Sequence, residues 1–597
     1  MLSPRLYRAA LVPAVLAAAV ASFSLGGRPA PLTATFSPDA FEGSRALADT
    51  RSLAAAFPAR RAGSGGDQRL AAHIAGMLEG LGGTAGGGFQ VRTVHATGQT
   101  LDGERTLTTV LAQRPGSTSA SAILIVAHRD AAGRGSAAEM SGTGVLLELA
   151  RVYAARETKR TVILASTSGG SGGDAGAAAL AAQLHEPIDA AIVLGDVASA
   201  STRKPFVIPF SDALGSSPPL LVRTLDGAIT RETGADAGAP SALGQLAHMI
   251  FPLAPGEQGV LDSHGIPSVL VQASGERGPS PTAALSGERI EGLGRSVLNA
   301  VDALDAAPDV PSAMPSSIVL ARKTVPSWAV RLLVIALLLA PALAVVDGLA
   351  RARRRKLAVG RWTLWALSCA LPFLACAVFV YLLSALGVVG GAPAVPPPAG
   401  ALGLGATALT LIVAAALTFA LAWLLWRMLL DRLAFGTRPD PDVAGLSVLL
   451  VVVPLALLAW VGNPYQALLL VPAAHLWLVL ASPELRPRRI GSLALVLAGA
   501  LPLALLIAFY AHQLRLGAGT LGWSAVLLLA GGHVGFGSAV LWSLGFGSLV
   551  AAAMVALAPR RAAPELRGGE HIEVTIRGPL SYAGPGSLGG TESALRR

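Results

Sequence analysis

Charged residues are scarce in this chain, at 14% of 597 residues, and aromatic residues make up only 5%. Soluble globular domains are about 25% charged. The mean hydropathy of +0.57 and the hydrophobic share of 52% point the same way. These values exclude a chain of four soluble domains, which the length alone would suggest. Part of the chain must therefore lie in a lipid bilayer.

Cysteine is nearly absent. Cys369 and Cys376 are the only two, and both lie within one apolar run. The segment 27–325 contains none, so it has no disulfide. If this segment is exported, it must be held together by an ordinary hydrophobic core.

The formal net charge of +10 raises the question of a nucleic-acid partner. Residues 27–327 hold 24 basic and 27 acidic residues, a net charge of −3, whereas the remainder holds 22 and 9, a net charge of +13. A nucleic-acid-binding protein places its basic face on the folded domain. Here the basicity belongs to the apolar part, and nucleic acid is excluded as a partner.

Apolar runs near the ~20 residues that a membrane helix needs occur at both ends of the chain. Residues 6–26 follow Arg5 and surround Arg8, and their apolar core exceeds the ~7–15 residues of a signal peptide, which predicts an uncleaved signal anchor (1–26). Seven further runs predict a membrane domain over 326–558: 328–350, 362–387, 400–425, 445–462, 465–482, 491–511 and 523–558. The last run is either one span with a lead-in or two short spans.

Basic residues occupy alternate loops between these runs. The first, third and fifth loops (351–361, 427–438 and 486–489) are rich in arginine, whereas the second and fourth have no charge and the sixth has only Arg515. The positive-inside rule places the basic loops in the cytoplasm. We therefore expect a multi-pass protein of the cell membrane, in contact with bilayer lipid. Its 27–325 segment is extracytoplasmic and its 559–597 tail is cytoplasmic.

The extracytoplasmic segment alternates between short β-branched runs and helical stretches. The predicted strands are 106–113, 122–127, 161–165, 190–194 and 268–272, the first of them an antiparallel neighbour of the others. The predicted helices are 67–81, 141–155, 175–184, 218–233 and 287–304. This alternation is typical of an α/β domain with a mostly parallel sheet and helices on both faces. An all-α transmembrane bundle of about seven C-terminal helices and one N-terminal helix completes the predicted fold.

Several short motifs in this segment occur in the order found in a known family. They are Phe57-Pro58-Ala59-Arg60, Ala62-Gly63-Ser64, a strand ending in His128-Arg129-Asp130, Ser141-Gly142 before a helix, and Gly265-Ile266-Pro267 before a strand. Over residues 45–305 the chain resembles zinc metallopeptidase family twenty-eight, of the bacterial leucyl aminopeptidase and aminopeptidase Y type. The membrane runs that follow resemble those of multi-span members of that family.

The resemblance implies two zinc ions that share a bridging carboxylate, with a glutamate as general base. At matching positions it implies His128 and Asp196 as zinc ligands and Asp130 as the residue that orients His128. The bridging position holds Ala138, the Glu-Glu pair is replaced by Gly170-Ser171, and the last histidine falls near 281–282. We therefore predict a catalytically degenerate domain that binds peptides or exported proteins or acts as a scaffold, with His128 and Asp196 left as residual ligands that would hold zinc only weakly.

Two catalytic alternatives stay open. In an active zinc aminopeptidase with a rearranged site, Glu139 and His264 would replace the missing groups. In a serine hydrolase, the Gly-x-Ser-x-Gly sequence at 169–173 would present Ser171 as nucleophile, with Asp196 and His264 following in the usual order. We interpret that sequence instead as a flexible Gly-rich loop, and we expect Arg129 to pair with Asp130 or Asp196.

Overall fold

The computed structural model describes residues 4–35, 37–81, 88–204, 206–310, 316–389, 402–432, 441–482, 485 and 487–558. Residues up to Ala558 form one compact unit. The predicted cytoplasmic tail 559–597, together with Arg438 and Arg486 of the basic loops, lies outside the described residues.

The described residues form ten strands and twenty helices, apart from three short 3₁₀ turns. The strands are β1 Gly26–Gly27, β2 Gln90–Thr100, β3 Gly103–Arg114, β4 Ala122–His128, β5 Val162–Thr167, β6 Ile188–Leu194, β7 Val207–Ile208, β8 Ser268–Val271, β9 Ile318–Val319 and β10 Lys323–Val325. The helices up to residue 306 are α1 Pro4–Ala10, α2 Val12–Phe23, α3 Gly43–Ala56, α4 Gly65–Gly80, α5 Ser141–Ala154, α6 Ala175–Gln183, α7 Pro219–Thr233, α8 Ala242–Ile250, α9 Glu257–Ser263 and α10 Gly287–Ala306. The later helices are α11 Ser327–Arg354, α12 Val359–Ser368, α13 Leu371–Ala385, α14 Ala406–Arg432, α15 Pro441–Gly462, α16 Pro464–Ala467, α17 Val471–Leu480, α18 Arg489–Gln513, α19 Ala518–Ala530 and α20 Phe536–Leu557.

Seven strands form the central sheet, in the order β2-β3-β5-β4-β6-β8-β7. The four strands β5, β4, β6 and β8 run parallel, and β2, β3 and β7 pair antiparallel at the two sides. The α/β fold class is confirmed, with parallel pairing confined to the middle of the sheet. The turn at 101–102 is too short for a crossover, so β2 and β3 must be antiparallel.

Helices cover both faces of this sheet, as predicted. Along β4, Ile123 and Ile125 belong to the core beneath α3, α4, α5, α7 and α10, whereas Leu124 and Val126 face α6 and α9. Successive side chains of a strand point to opposite faces, so a strand buried on both faces is apolar throughout. The uninterrupted run 122–127 has this pattern.

Seven helices are long and apolar enough to cross a membrane, one near the N-terminus and six in the C-terminal half of the described chain. They are Arg5–Phe23, Ser327–Arg354, Val359–Ala385, Ala406–Arg432, Val443–Gly462, Arg489–Gln513 and Phe536–Leu557. The predicted run 465–482 forms the shorter apolar stretch Pro464–Leu480. The run 523–558 divides into the short α19 and the full-length α20, which corresponds to one span with a lead-in.

The α/β domain packs directly on the helical bundle through α8 and the residues that follow it. Asn463 donates a 2.7 Å hydrogen bond from its side chain to the carbonyl of Met249. The Tyr510 hydroxyl donates to the carbonyl of Phe251 at 2.7 Å, and His533 Nε2 lies 2.9 Å from the carbonyl of Pro252. Apolar contacts between α8 and α18 surround these bonds, so the two parts share one packed boundary.

Candidate functional site

Four ionisable side chains line a small cavity at the carboxyl edge of the parallel strands. His128 ends β4, Asp196 follows β6, Glu139 lies in the 3₁₀ turn before α5, and Glu257 begins α9. Ligands in open α/β sheets bind at this edge. The cavity volume is about 30 Å³, enough for one or two water molecules. The structure therefore brings Glu139 together with His128 and Asp196.

His128 is held by Asp130. Its Nδ1 lies 3.1 Å from the main-chain oxygen of Asp130 and 3.6 Å from Oδ1 of the same residue. Burial alone would lower the pKa of His128. The hydrogen bond and charge of Asp130, with smaller contributions from Glu257 and Glu139, instead raise that pKa to about 9. The imidazole is therefore protonated at neutral pH.

The Gly-rich loop binds the Asp130 carboxylate. The amides of Gly169, Gly170 and Ser171 donate to it at 2.8, 3.1 and 3.1 Å, and the Ser171 hydroxyl donates a further short hydrogen bond. Burial would raise the pKa of Asp130, but His128 and these donors lower it to about 2. Successive backbone amides of this kind form a nest for an anion. The loop thus fixes Asp130 as a carboxylate under His128.

In contrast to Asp130, the three carboxyl groups that line the cavity have raised pKa values. Glu139, Asp196 and Glu257 each have one buried oxygen with no hydrogen-bond partner among the described residues. Burial is the main cause that raises their pKa values, to about 7 for Glu139 and Glu257 and about 6 for Asp196. Unpaired buried polar atoms are costly in a folded protein. The hydroxyls of Ser136 and Ser274 lie near enough to Glu139 and Asp196 to lower those two pKa values in part. The three oxygens can still meet a ligand, a proton or water.

Sequence reasoning missed Glu257. Its carboxyl accepts from the Thr167 hydroxyl at the end of β5, and its charge acts on His128. A signal was present, because Glu257 is the only acidic residue between Asp236 and Asp262. It also follows Pro255-Gly256, where a helix begins. A lone carboxylate at the start of a helix in an apolar segment is a candidate for a buried functional group.

The residues proposed for a serine hydrolase do not come together. The Ser171 hydroxyl is used by Asp130, and the Asp196 carboxylate accepts from the amides of Ala198 and Ser199 at 3.2 and 2.8 Å. The exposed His264 ring lies 2.8 Å from the carbonyl of Val260, one turn earlier in its own helix, and does not line the cavity. Among the described residues, neither Asp196 nor His264 is therefore hydrogen-bonded to Ser171, and His264 does not replace a metal ligand.

Arg129 pairs with a different partner from the two predicted. Its fully buried guanidinium contacts Asp67 of α4 at 2.8 Å, not Asp130 or Asp196. It also donates to the carbonyls of Ser166, Thr167 and Thr108. Alternate residues of an extended chain point to opposite sides, so Arg129 points away from the cavity that His128 lines. Its role is to join α4 to the sheet.

Comparison with known proteins gives the same assignment as the sequence motifs. The family model described as Peptidase family M28 matches residues 109–236, which include β4, the Gly-rich loop and Asp196. The domain is M28-like. The resemblance to zinc metallopeptidase family twenty-eight is thereby confirmed. No curated protein sequence matches the chain.

Solved structures similar to the M28-like domain include enzymes of two activities. A glutaminyl cyclase from an Acidobacteriales bacterium is 19% identical, with 46% of this chain and 98% of that chain covered and a TM-score of 0.36. BSAP, a zinc aminopeptidase from Bacillus subtilis, is 14% identical over 45% and 99% of the two chains, with a TM-score of 0.36. The glutaminyl cyclase of Porphyromonas gingivalis is 17% identical over 44% and 99%, with a TM-score of 0.34.

The side chains of the M28-like domain do not fit a two-zinc centre. Ala138 is fully buried where the bridging carboxylate is expected, and the Gly170-Ser171 amides serve Asp130 where the Glu-Glu pair is expected. Exposed Thr282 lies near the position of the last histidine. Within the described part of the chain, no three His, Cys, Asp or Glu side chains lie close enough together to hold a metal ion.

Glycine at position 170 is required by the ring of His128. A Cβ at this position would lie 2.5 Å from Cβ and 2.6 Å from Cγ of His128. We expect Gly170→Ala to displace the imidazole and to lower the free energy of unfolding by about 1–3 kcal/mol, as overpacking does. Pulse proteolysis of the full chain in urea and detergent measures this change.

The matched control for Gly170→Ala is Gly76→Ala, in the exposed middle of α4, where an added Cβ meets nothing within 4 Å. That change is expected to leave stability unchanged or to raise it by roughly 0.5–1 kcal/mol, because alanine is the better helix former. Equal stability of the two variants would show that His128 does not occupy the space beside Gly170.

Proposed function

We propose that this is a multi-pass membrane protein whose extracytoplasmic M28-like domain binds or scaffolds other molecules and does not hydrolyse peptides. The observation that carries this proposal is the Gly-rich loop. Where the family's Glu-Glu pair would supply a base and a ligand, backbone amides and Ser171 are committed to the Asp130 carboxylate. A hydrolase on the family's plan needs that pair.

The distribution of arginine supports the extracytoplasmic placement. The Ser447 hydroxyl bonds the carbonyl of Val359, so the start of α15 and the arginine-rich connection before α12 lie at the same end of the bundle. The domain contacts the opposite end, through Asn463 and His533. Basic loops stay in the cytoplasm. The end that carries the domain is therefore the outer one.

The size of the cavity bears on what the domain binds. At about 30 Å³ it holds water but no amino-acid side chain. A peptide or exported protein would therefore bind on the outer surface of the domain and not within the former cleft. The packed and hydrogen-bonded contact between α8 and the bundle suits a module that holds a partner close to the membrane.

The test of this proposal uses the full chain purified in mild detergent. We expect substoichiometric zinc by plasma mass spectrometry. We also expect the same background turnover of aminoacyl fluorogenic substrates for the wild type and for His128→Ala. Stoichiometric zinc that is lost in His128→Ala, together with turnover that falls in that variant, would overturn the proposal.

A second candidate function is metal-dependent hydrolysis by a rearranged site, and the three unpartnered carboxyl oxygens favour it. His128, Asp196 and Glu257 would hold a single metal ion only after their side chains moved together and His128 lost its proton. A metal there would polarise the carbonyl to be attacked. Glu139, with a pKa near 7, has the value that suits a general base at neutral pH.

Substitution of Glu257 distinguishes the two candidate functions. A rearranged hydrolase predicts turnover that is abolished by a chelator, restored by zinc, and lost on Glu257→Gln as well as on Glu139→Gln. The matched control is Glu79→Gln, an exposed carboxylate on α4 that keeps full turnover. Turnover that survives the chelator would rule this candidate out.

A further inference from the structure

A large cavity lies beneath the M28-like domain, between the domain and the membrane helices. Its volume is about 530 Å³, within the range of small-molecule sites. Its roof consists of His248, Glu276 and the segment 251–255. Its walls are side chains of α13, α14, α18, α19 and α20, such as Phe419 and Leu528.

The walls of this cavity offer almost nothing for a peptide backbone to bond. Of the side chains below the roof, only those of Cys376, Tyr510, Ser524, Trp542 and Ser543 carry a polar atom. An extended peptide would bury unpaired N–H and C=O groups there, at high cost. A helix is about 10–12 Å across, so the volume would hold only roughly one turn. A hydrocarbon chain needs no hydrogen bonds, so neither the apolar walls nor the volume excludes it.

The domain side of the cavity is flanked by three arginines. Arg515 lies between two lining residues, Leu514 and Leu516, and Arg277 directly follows the lining residue Glu276. Arg203 lies beside the segment that carries Arg277, because its amide donates to the carbonyl of Ala273 at 2.8 Å. Burial and then the charges of Arg515 and Arg277 lower the pKa of Arg203. Among the described residues none of the three forms a salt bridge with a carboxylate. The carboxylate of Glu276 contacts His248 and none of these arginines, so the three positive charges suit a bound anion.

We infer that this cavity holds an acyl chain of an anionic phospholipid, whose phosphate is bound by Arg203, Arg277 and Arg515. The arginines lie at the level where the helices end and the domain begins. One phospholipid can therefore supply both the phosphate at the arginines and the acyl chain in the cavity. Phospholipid head groups lie at this level, and arginine suits phosphate through paired N–H donors. The inference does not depend on whether the domain is catalytic.

A cavity-filling variant tests the place of the acyl chain. Ala525 of α19 is exposed within the cavity, and Ala416 of α14 is exposed outside it, so Ala525→Trp and Ala416→Trp make the same change in two settings. After delipidation in detergent and exposure to phosphatidylglycerol vesicles, native mass spectrometry counts retained lipids. We expect one retained phosphatidylglycerol in the wild type and in Ala416→Trp, and none in Ala525→Trp.

Arginine variants test whether the three arginines bind the lipid phosphate, through the preference of the protein for anionic lipid. We expect the wild type to retain phosphatidylglycerol over phosphatidylcholine by at least tenfold, and Arg277→Gln with Arg515→Gln to remove this preference. Arg322→Gln, an exposed arginine in the linker to α11, should keep it. A wild type that retains no lipid, or retains both lipids equally, overturns the inference.

A label on the lipid gives a result that does not depend on any variant's folding. Phosphatidylglycerol with a diazirine at the end of its acyl chain should label Ser524 or Leu528 in the wild type, beyond any labelling of the outward-facing Leu417. Labelling confined to outward-facing residues contradicts an acyl chain in the cavity. Displacement of the lipid by an apolar peptide that itself labels Ser524 would identify a peptide site instead.

Discussion

Replacing Arg129 by methionine is expected to lower the free energy of unfolding of the M28-like domain by about 3–5 kcal/mol, the range for one partner lost from a buried ion pair. The guanidinium is fully buried and pairs with Asp67, which is also fully buried. Methionine fills much of the same volume but leaves the Asp67 charge unpaired. It also removes the donors to three strand carbonyls.

The position of Asp67 makes this loss large. Its carboxyl accepts from the amide of Gly63 at 3.0 Å and from the Ser168 hydroxyl at 2.6 Å, which ties the start of α4 to the end of β5. Burial already raises the pKa of Asp67, in spite of the charge of Arg129. Without Arg129, Asp67 must either stay charged in an apolar setting or take up a proton, and both choices destabilise the fold.

Two further variants decide the cause of the loss. Arg129→Met combined with Asp67→Asn removes the unpaired charge, so part of the lost stability should return. Arg92→Met, on the exposed side of β2, should change stability by less than about 0.5 kcal/mol. Pulse proteolysis in urea measures all four proteins. If the double variant is no more stable than Arg129→Met, the unpaired charge is not the cause.

The strands and helices of the M28-like domain were predictable where the pattern is strong. The apolar run 122–127 forms most of β4, and the predicted helix 287–304 forms most of α10. The strand β2 was missed because it is an edge strand whose side chains alternate between half-buried and exposed with several polar residues. Helices α8 and α9 were missed because they are short, with nine and seven residues, which leaves too few turns for a helical period to stand out in the sequence.

The candidate site was predictable in part. His128, Asp130 and Asp196 were found because each follows a predicted strand, and such strand ends meet at one edge. Glu257 follows no strand, and its approach to His128 depends on how α9 packs against β6 and β8. The partner of Arg129 was mistaken because proximity in sequence favoured Asp130, whereas Asp67 reaches it only through the packing of α4. Long-range packing of this kind leaves no periodic signal in a single sequence.

The M28-like domain is expected to be most stable near pH 4–5 and to lose stability as the pH rises towards 9. Burial raises the pKa of Glu139, Asp212 and Glu257 to about 7 in the folded protein. A carboxyl with a raised pKa contributes its full stability below its unfolded pKa, about 4, and has lost it once the pH passes 7. His128, with a pKa of about 9, likewise loses its contribution between about pH 6.5 and 9. Asp130 opposes this trend only in acid, because its pKa of about 2 is lowered and its contribution disappears as the pH falls through that value.

Glu257→Gln isolates one of these groups. The amide keeps the size of the side chain and cannot ionise, so the variant should lose less stability than the wild type between pH 4.5 and 7. The difference should approach roughly 3 kcal/mol, because each unit of pKa shift corresponds to about 1.4 kcal/mol and Glu257 is buried. Calorimetric unfolding of the full chain in detergent at a series of pH values gives both curves, and Glu79→Gln, an exposed carboxylate, should follow the wild type throughout. If Glu257→Gln and the wild type lose stability in parallel, then Glu257 is already ionised or paired at pH 5 in the folded protein. Its unpartnered oxygen would then be satisfied by a group other than a proton, which is the condition that the rearranged metal site requires.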